Sequence, residues 1–174
     1  MAQAALYLLT AVDVRRAMES DTSRAISITS LTMPELTLAT GEHNPGGGVG
    51  AVNFSLPRVE ALEPAFSVKG IDADIFNGFG EPERWVFAGS YNRRAPGGGG
   101  VVPARAIIEG VVNSWQPDES DPADFAGCTH AFAEVTHYEL TLDGKEFFYW
   151  DWYERIFRRN GVDLFANHRR ALGA

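Results

Sequence analysis

The sequence predicts a mostly-β chain, a β-sandwich or barrel-like fold with one or two short flanking helices. Three observations predict it. Short runs rich in β-branched and aromatic residues alternate apolar with polar positions at period two. Glycine, proline and Asp-Gly separate those runs where the chain must turn. Helical patterning shows only in two short stretches, at 71–79 and after Asp163. At 174 residues the chain is long enough for one domain, 1–174, whose core needs no disulfide staple. It holds one cysteine, Cys128, so an internal disulfide is impossible, which suits a reducing compartment.

Residues 4–12 (AALYLLTAV) form an apolar run with no basic leader, too short to span a bilayer. They are read as a buried strand rather than a membrane anchor. Residues 25–33 (AISITSLTM) put Ile26, Ile28 and Ser30 on one face of a strand, which Pro34 interrupts before Leu36 and Leu38 resume the alternation. Residues 41–50 (GEHNPGGGVG) read as a polar, glycine-rich loop, and strands follow at 51–56 and 64–69. Ile71, Ile75 and Phe79 recur every fourth residue, so a short helix is expected with Asp72 as its N-cap and Gly80 as its stop.

Residues 84–91 (RWVFAGSY) read as a strand, 93–100 (RRAPGGGG) as a flexible loop and 101–112 as a strand. The acid- and proline-rich segment 115–127 is an expected loop. A long strand, 128–142, then feeds a hairpin at Asp143-Gly144, because a two-residue turn needs positive φ at both central positions. The returning arm carries Phe147, Tyr149 and Tyr153 on one face and Phe148, Trp150, Trp152 and Ile156 on the other. A strand apolar on both faces is normally covered on both, so one face requires something beyond the chain's own core. The tail 161–174 is expected to be helical, with Asp163 as N-cap, Arg169 and Arg170 near its end and Gly173 closing it.

No catalytic residue, cofactor or metal is expected. Residues 46–51 match G-x-G-x-x-A, but no helix follows to receive a pyrophosphate. Cys128 and His130 share a strand face and His137 takes the other, so three ligands do not converge. Asp118, Glu119, Asp121 and Asp124 miss the spacing of a calcium loop. The net charge of −8 argues against coating nucleic acid. The charge is uneven: residues 155–174 hold five Arg and one Asp, so an acidic body carries a basic tail. Exposed aromatics, glycine loops and opposed charges are signs of assembly rather than of chemistry.

Five stretches in order carry a resemblance: SLTMPELT (30–37), the glycine triplet 46–48, FAGSY (87–91), YELTLDGKE (138–146), and NGVD (160–163) with HRRALG (168–173). Together they resemble the major tail tube proteins of contractile-tailed phages and the tube subunits of R-type pyocins. The resemblance covers most of the chain from about residue 30. Glu42-His43-Asn44-Pro45 departs from the family's usual approach to the glycines, and 1–24 lacks its early Asp-Gly turn.

The resemblance implies a non-enzymatic, ring-forming subunit: hexameric rings stack into a hollow tube inside a contractile sheath and conduct DNA into the host. Implied partners are the chain itself, the tail sheath protein, and baseplate and tail terminator proteins, with DNA passing through the lumen without specific binding. The protein would belong to the virion tail and be assembled in the host bacterial cytoplasm. Subunit-interface residues would be Phe147, Phe148, Tyr149, Trp150, Trp152 and Tyr153. The 41–50 loop, through Glu42, His43, Pro45, Gly46, Gly47 and Gly48, would reach an adjacent ring. Glu109, Glu134 and Glu139 would line the lumen. Arg155, Arg158, Arg159, Arg169 and Arg170 would meet the next ring or the sheath. Two other readings stand beside this one: the tube of a DNA-free pyocin-like particle, and a monomeric β-sandwich module that uses Trp150 and Trp152 to hold a sugar or peptide.

Overall fold

The computed structural model describes residues 4–19, 21–119, 122–123 and 126–173. Asp121 and Asp124 of the expected acidic loop lie outside them. In chain order the strands are β1 (Leu6–Arg16), β2 (Ile28–Thr32), β3 (Leu38–His43), β4 (Val52–Val59), β5 (Ala65–Lys69), β6 (Pro82–Ala95), β7 (Gly98–Pro117), β8 (Gly127–Leu142), β9 (Lys145–Asp151), β10 (Ile156–Arg159) and β11 (Val162–Asp163). The one α-helix among the described residues, α1 (Ala166–Ala171), closes the chain.

The main sheet runs β1-β6-β7-β8-β9-β10-β11, with antiparallel neighbours throughout. β5 pairs with the first half of β8 and carries β2 on its other side. Bulges let one sheet do both jobs. The β7–β8 register shifts at Glu109/Val111 and again at Val112/Ser114, and Glu134 sits at φ +50°. Each extra residue bends its strand and raises the local twist, so the sheet folds back over its own apolar face. Gly110 lies in the first bulge, where a Cβ would meet the Ala133 carbonyl oxygen and Val135 Cγ2, both at 3.1 Å. Glycine lets the two backbones approach without the few tenths of an ångström of displacement that a side chain would force on the neighbouring strand.

The core fills this fold. Phe66 from β5 stands 5.9 Å from Trp85, 6.2 Å from Phe87 and 6.0 Å from Phe132, ring centre to centre. Val14, Trp85 and Ile108 are wholly buried. Burying each large ring contributes about 2 kcal/mol. At one end the core is sealed by charge. The Arg24 guanidinium lies 5.2 Å above the Trp85 ring, 2.5 Å from Asp72 and 2.8 Å from Asp74. Burial works against the charged form of Arg24, but the bonds to Asp72 and Asp74 outweigh it and hold its pKa above the usual value. Arg16 beside it pairs with Glu83 at 3.1 Å.

Several expectations change. Residues 4–12 are not a buried strand: Leu6, Tyr7, Leu8 and Leu9 are exposed. They pair only with the far part of β6, beyond the reach of the core. Ile26 lies in a turn, fully exposed, and the strand begins at Ile28. The helix at 71–79 is one 3-10 turn, Ala73–Asn77, ending at Gly78. Asp72 does not cap it, because its carboxylate is taken by Arg24.

Residues 93–100 are not a flexible loop. They are a β-hairpin, with Ala95 opposite Gly98 and a Pro96-Gly97 turn whose Gly97 has φ +90°. Residues 115–117 and 127 belong to strands, which shortens the acidic loop at both ends. The Asp143-Gly144 turn is as expected, with φ of +53° and +72°. Cys128 and His130 do share a buried face, Sγ to Nε2 3.4 Å, with His137 on the other.

Candidate functional site

Three unpartnered surfaces stand out against this core. The first is the β3–β4 hairpin, a separate two-stranded sheet. Leu38, Val52, Phe54 and Leu56 on its strands are all exposed. An isolated two-stranded hairpin is marginal in water, so a second surface must cover this one if it is to persist. Glu42 and His43, expected in a loop, lie on β3 opposite Asn53 and Val52. Pro45, Gly46, Gly47 and Gly48 form the tip. Gly46 and Gly47 do not have positive φ, and a Cβ added at either would meet no atom within 4 Å. The monomer itself gives no reason for glycine there.

The second surface is a three-stranded arm. β6 and β7 continue past the end of β8, whose last partner is Ala104 opposite Leu142. Residues 98–103 of β7 therefore pair with β6 alone, while residues 6–9 of β1 flank β6 on the other side. The tip stands six residues beyond the Asp143-Gly144 turn, about 20 Å at the rise of a strand. A register shift between Leu9 and Ala11 re-phases β1. By alternation Tyr7 and Leu9 then share the core-side face with Tyr91, while Leu6, Leu8 and Val101 share the other. Both faces are apolar and both long edges are open, a configuration that recruits another chain.

The third surface surrounds the aromatic arm. β9 stops at Asp151, because the Asp151 carboxylate accepts the Glu154 amide at 2.8 Å and turns the chain. Trp152 and Tyr153, expected on the strand, therefore sit on a turn, 61% and 72% exposed and packed edge to face at 5.1 Å. Phe148 is buried against Tyr138 and Phe157 at 5.6 and 5.5 Å. Trp150 is half-buried beside them.

The opposite face of β9 is covered by the chain's own cations rather than left bare. Lys145 Nζ lies 5.5 Å above the Phe147 ring and the Arg158 guanidinium 3.8 Å above Tyr149. Burial and the hydrogen bond from its hydroxyl to Glu154 push the Tyr149 pKa up to about 12. Beside the turn, Pro57, Val59, Trp150, Trp152, Ile156 and Phe165 line a groove of about 550 Å³.

The basic tail is less free than its sequence implies. Arg158 binds Glu146 through Nε at 3.1 Å and Nη2 at 2.7 Å, and this holds the Glu146 carboxyl below its usual range. Arg169 binds Asp163 at 2.6 Å and donates to the Arg155 carbonyl at 2.8 Å. Arg155, Arg159 and Arg170 have no carboxylate partner among the described residues. Asp163 is not the N-cap; its carboxylate instead accepts the Phe165 amide at 2.9 Å, and α1 begins at Ala166.

Glu109 and Glu139 lie on the outward face of the main sheet, Glu109 opposite Arg84 and His137, Glu139 opposite Ile107 and Tyr149. Glu134 is exposed at the bulge. His137 Nδ1 lies 3.0 Å from Asp151, and its Nε2 lies 3.4 Å from Arg84. This face mixes both signs of charge.

Two features escape the sequence reading, although each leaves a signal. Asn160-Gly161, with φ of +49° and +78°, is a two-residue hairpin turn between β10 and β11. The β6–β7 arm is signalled by Pro96-Gly97 between alternating runs. Among the described residues no group of His, Cys, Asp and Glu could hold a metal, and no helix is long and apolar enough to cross a membrane.

A family model described as phage tail tube protein FII matches residues 16–173. No curated protein matches the chain.

Proposed function

The chain belongs to the phage tail tube protein FII family, a structural component of the virion tail and not an enzyme, and from that premise we propose how its copies build the tube. Six copies close a ring, rings stack inside a contractile sheath, and DNA passes through the lumen into the host. The observation that carries this reading is the pair of apolar, open-edged arms on an otherwise well-filled core. The open edges of β1 and β7 are the natural joints between neighbours in a ring, because a closed ring of strands leaves no free edge. The Trp150–Trp152–Tyr153 surface and its groove add apolar area to that joint.

The β3–β4 hairpin reaches the adjacent ring. Gly46 and Gly47, which the monomer does not require, let a partner's backbone come close there. The outward sheet face bearing Glu109 and Glu139, with Glu134 at the bulge, lines the lumen, and its mixture of charges avoids holding DNA. Arg155, Arg159 and Arg170 are the cations available to the sheath or the next ring. Baseplate and terminator proteins cap the two ends, and assembly takes place in the host cytoplasm.

Negative-stain microscopy of the concentrated protein tests the reading. Hollow tubes with sixfold end-on views are expected. A species of 19.0 kDa at every concentration would contradict it.

A further inference from the structure

The β1–β6–β7 arm ends in Arg93 and Arg94, both exposed and without a carboxylate partner among the described residues. Their neighbours are Asn92 and Ala95 along the chain and Tyr7 and Leu6 across the strand pair, none of them acidic, so no carboxylate beside them screens the charge. The opposite end of the same strands is acidic. Glu19 follows β1, Glu81 precedes β6, and Asp118 and Glu119 follow β7; with Asp21 these are all exposed. Of the exposed cations at that end, Lys69 lies 3.7 Å from Asp118 and Arg15 is paired with Asp13. Arg16 and Arg24 beneath are engaged mainly by Asp72, Asp74 and Glu83, and Arg16 also lies 3.7 Å from Glu19, whose side chain stays half exposed. The long strands therefore carry a positive tip and a negative base.

We propose that the arm is an axial plug: Arg93 and Arg94 of one copy dock on the acidic base, Glu19, Asp21, Glu81, Asp118 and Glu119, of a second copy in the next ring. Three observations fix the occupant. The charges at the two ends are complementary, which sets orientation as well as attraction. Leu6, Leu8 and Val101 on one face of the arm and Tyr7 and Leu9 on the other are exposed, while Val102 beside Tyr91 is buried. The two surfaces differ and lie at opposite ends, so their contact is head to tail and propagates rather than closing on itself. A head-to-tail contact also gives the stack a direction. The proposal rests on the tube reading and adds to it a second ring-to-ring contact, beside that of the β3–β4 hairpin.

The test compares polymerisation of three proteins at low salt by sedimentation and negative stain, with circular dichroism as the check on folding. Arg93→Glu/Arg94→Glu is expected to raise the protein concentration needed for stacking roughly tenfold or more while leaving the fold and isolated rings intact. Adding Glu19→Lys, Glu81→Lys and Glu119→Lys to that variant is expected to restore stacking, because both poles are then reversed together. High salt should weaken stacking of the wild type. Normal stacking by the first variant, or failure of the second to recover it, would overturn the proposal while tubes of the wild type would still stand. Absence of tubes from the wild type would instead remove the reading beneath it.

Discussion

Phe66 and Phe54 are the same residue on consecutive strands, yet one is 1% and the other 56% exposed. The difference follows from what each strand pairs with. β5, which carries Phe66, lies against β8 and β2, so its inward face meets Trp85, Phe87 and Phe132. β4, which carries Phe54, pairs only with β3, and the apolar side chains of that hairpin stay exposed. The base of the molecule is complete in a single chain: rings fill it, and Arg24 and Arg16 seal its end with their carboxylates. The arms are complete only in company. Mutations should therefore separate into two kinds, one that unfolds the monomer and one that leaves the monomer alone and spoils the assembly.

The largest expected effect is in the base. Phe66→Ala removes a ring that contacts four others, Trp85, Phe87, His130 and Phe132, and should cost about 3–5 kcal/mol, read from urea unfolding of the unassembled protein. A cost below about 1 kcal/mol would mean the core is looser than its distances imply. Next comes Arg24→Met, which strands Asp72 without its guanidinium and leaves Asp74 with Arg16 alone, and should cost about 3 kcal/mol by the same measurement.

A smaller effect is set by pH. Burial holds His130 below its ordinary pKa despite the pull of Asp72 at 4.0 Å, with Arg24 adding to the depression; Cys128 and Phe66 are its other close neighbours. The unfolded chain thus binds a proton on this side chain at a higher pH than the folded one. Stability from His130 is fully present above the unfolded value of 6.5 and declines as pH falls below it towards the folded pKa. A His130→Asn variant should show a flatter pH profile below 6.5, and an unchanged slope would remove this assignment. Smallest of all is Phe54→Ser in the monomer, expected to shift stability by less than about 0.5 kcal/mol while reducing polymer yield. A large loss of monomer stability would place Phe54 in a core it is not seen to touch.

The same contrast explains what the sequence disclosed. Core strands were legible because burial enforces alternation: Trp85, Phe87, Ile108 and Phe132 all stand on strands read from pattern alone. The Asp143-Gly144 turn was legible because few residue pairs accept positive φ twice. The arms were not. Glycine in 98–100 and 46–48 reads as flexibility, which masks the Pro96-Gly97 turn signal, and pairing with β6 makes the first run a strand.

The aromatic arm misled in the other direction. Its alternation runs on through Trp152 and Tyr153, but the carboxylate of Asp151 ends the strand by capturing the Glu154 amide, a local bond that hydrophobic pattern does not register. The proposed site was half legible for a related reason. A one-chain pattern can show that Phe147 and Tyr149 need cover, but not that Lys145 and Arg158 of the same chain provide part of it.

Hydrogen exchange on the unassembled and assembled protein tests the division between base and arms most directly. Amides of β3–β4 and of the arm at 6–9 and 91–102 should exchange fast in the monomer and become protected on assembly, while those of β5, the first half of β6 and β8 stay protected throughout. Arms already protected in the isolated chain, or unchanged when polymer forms, would contradict the account.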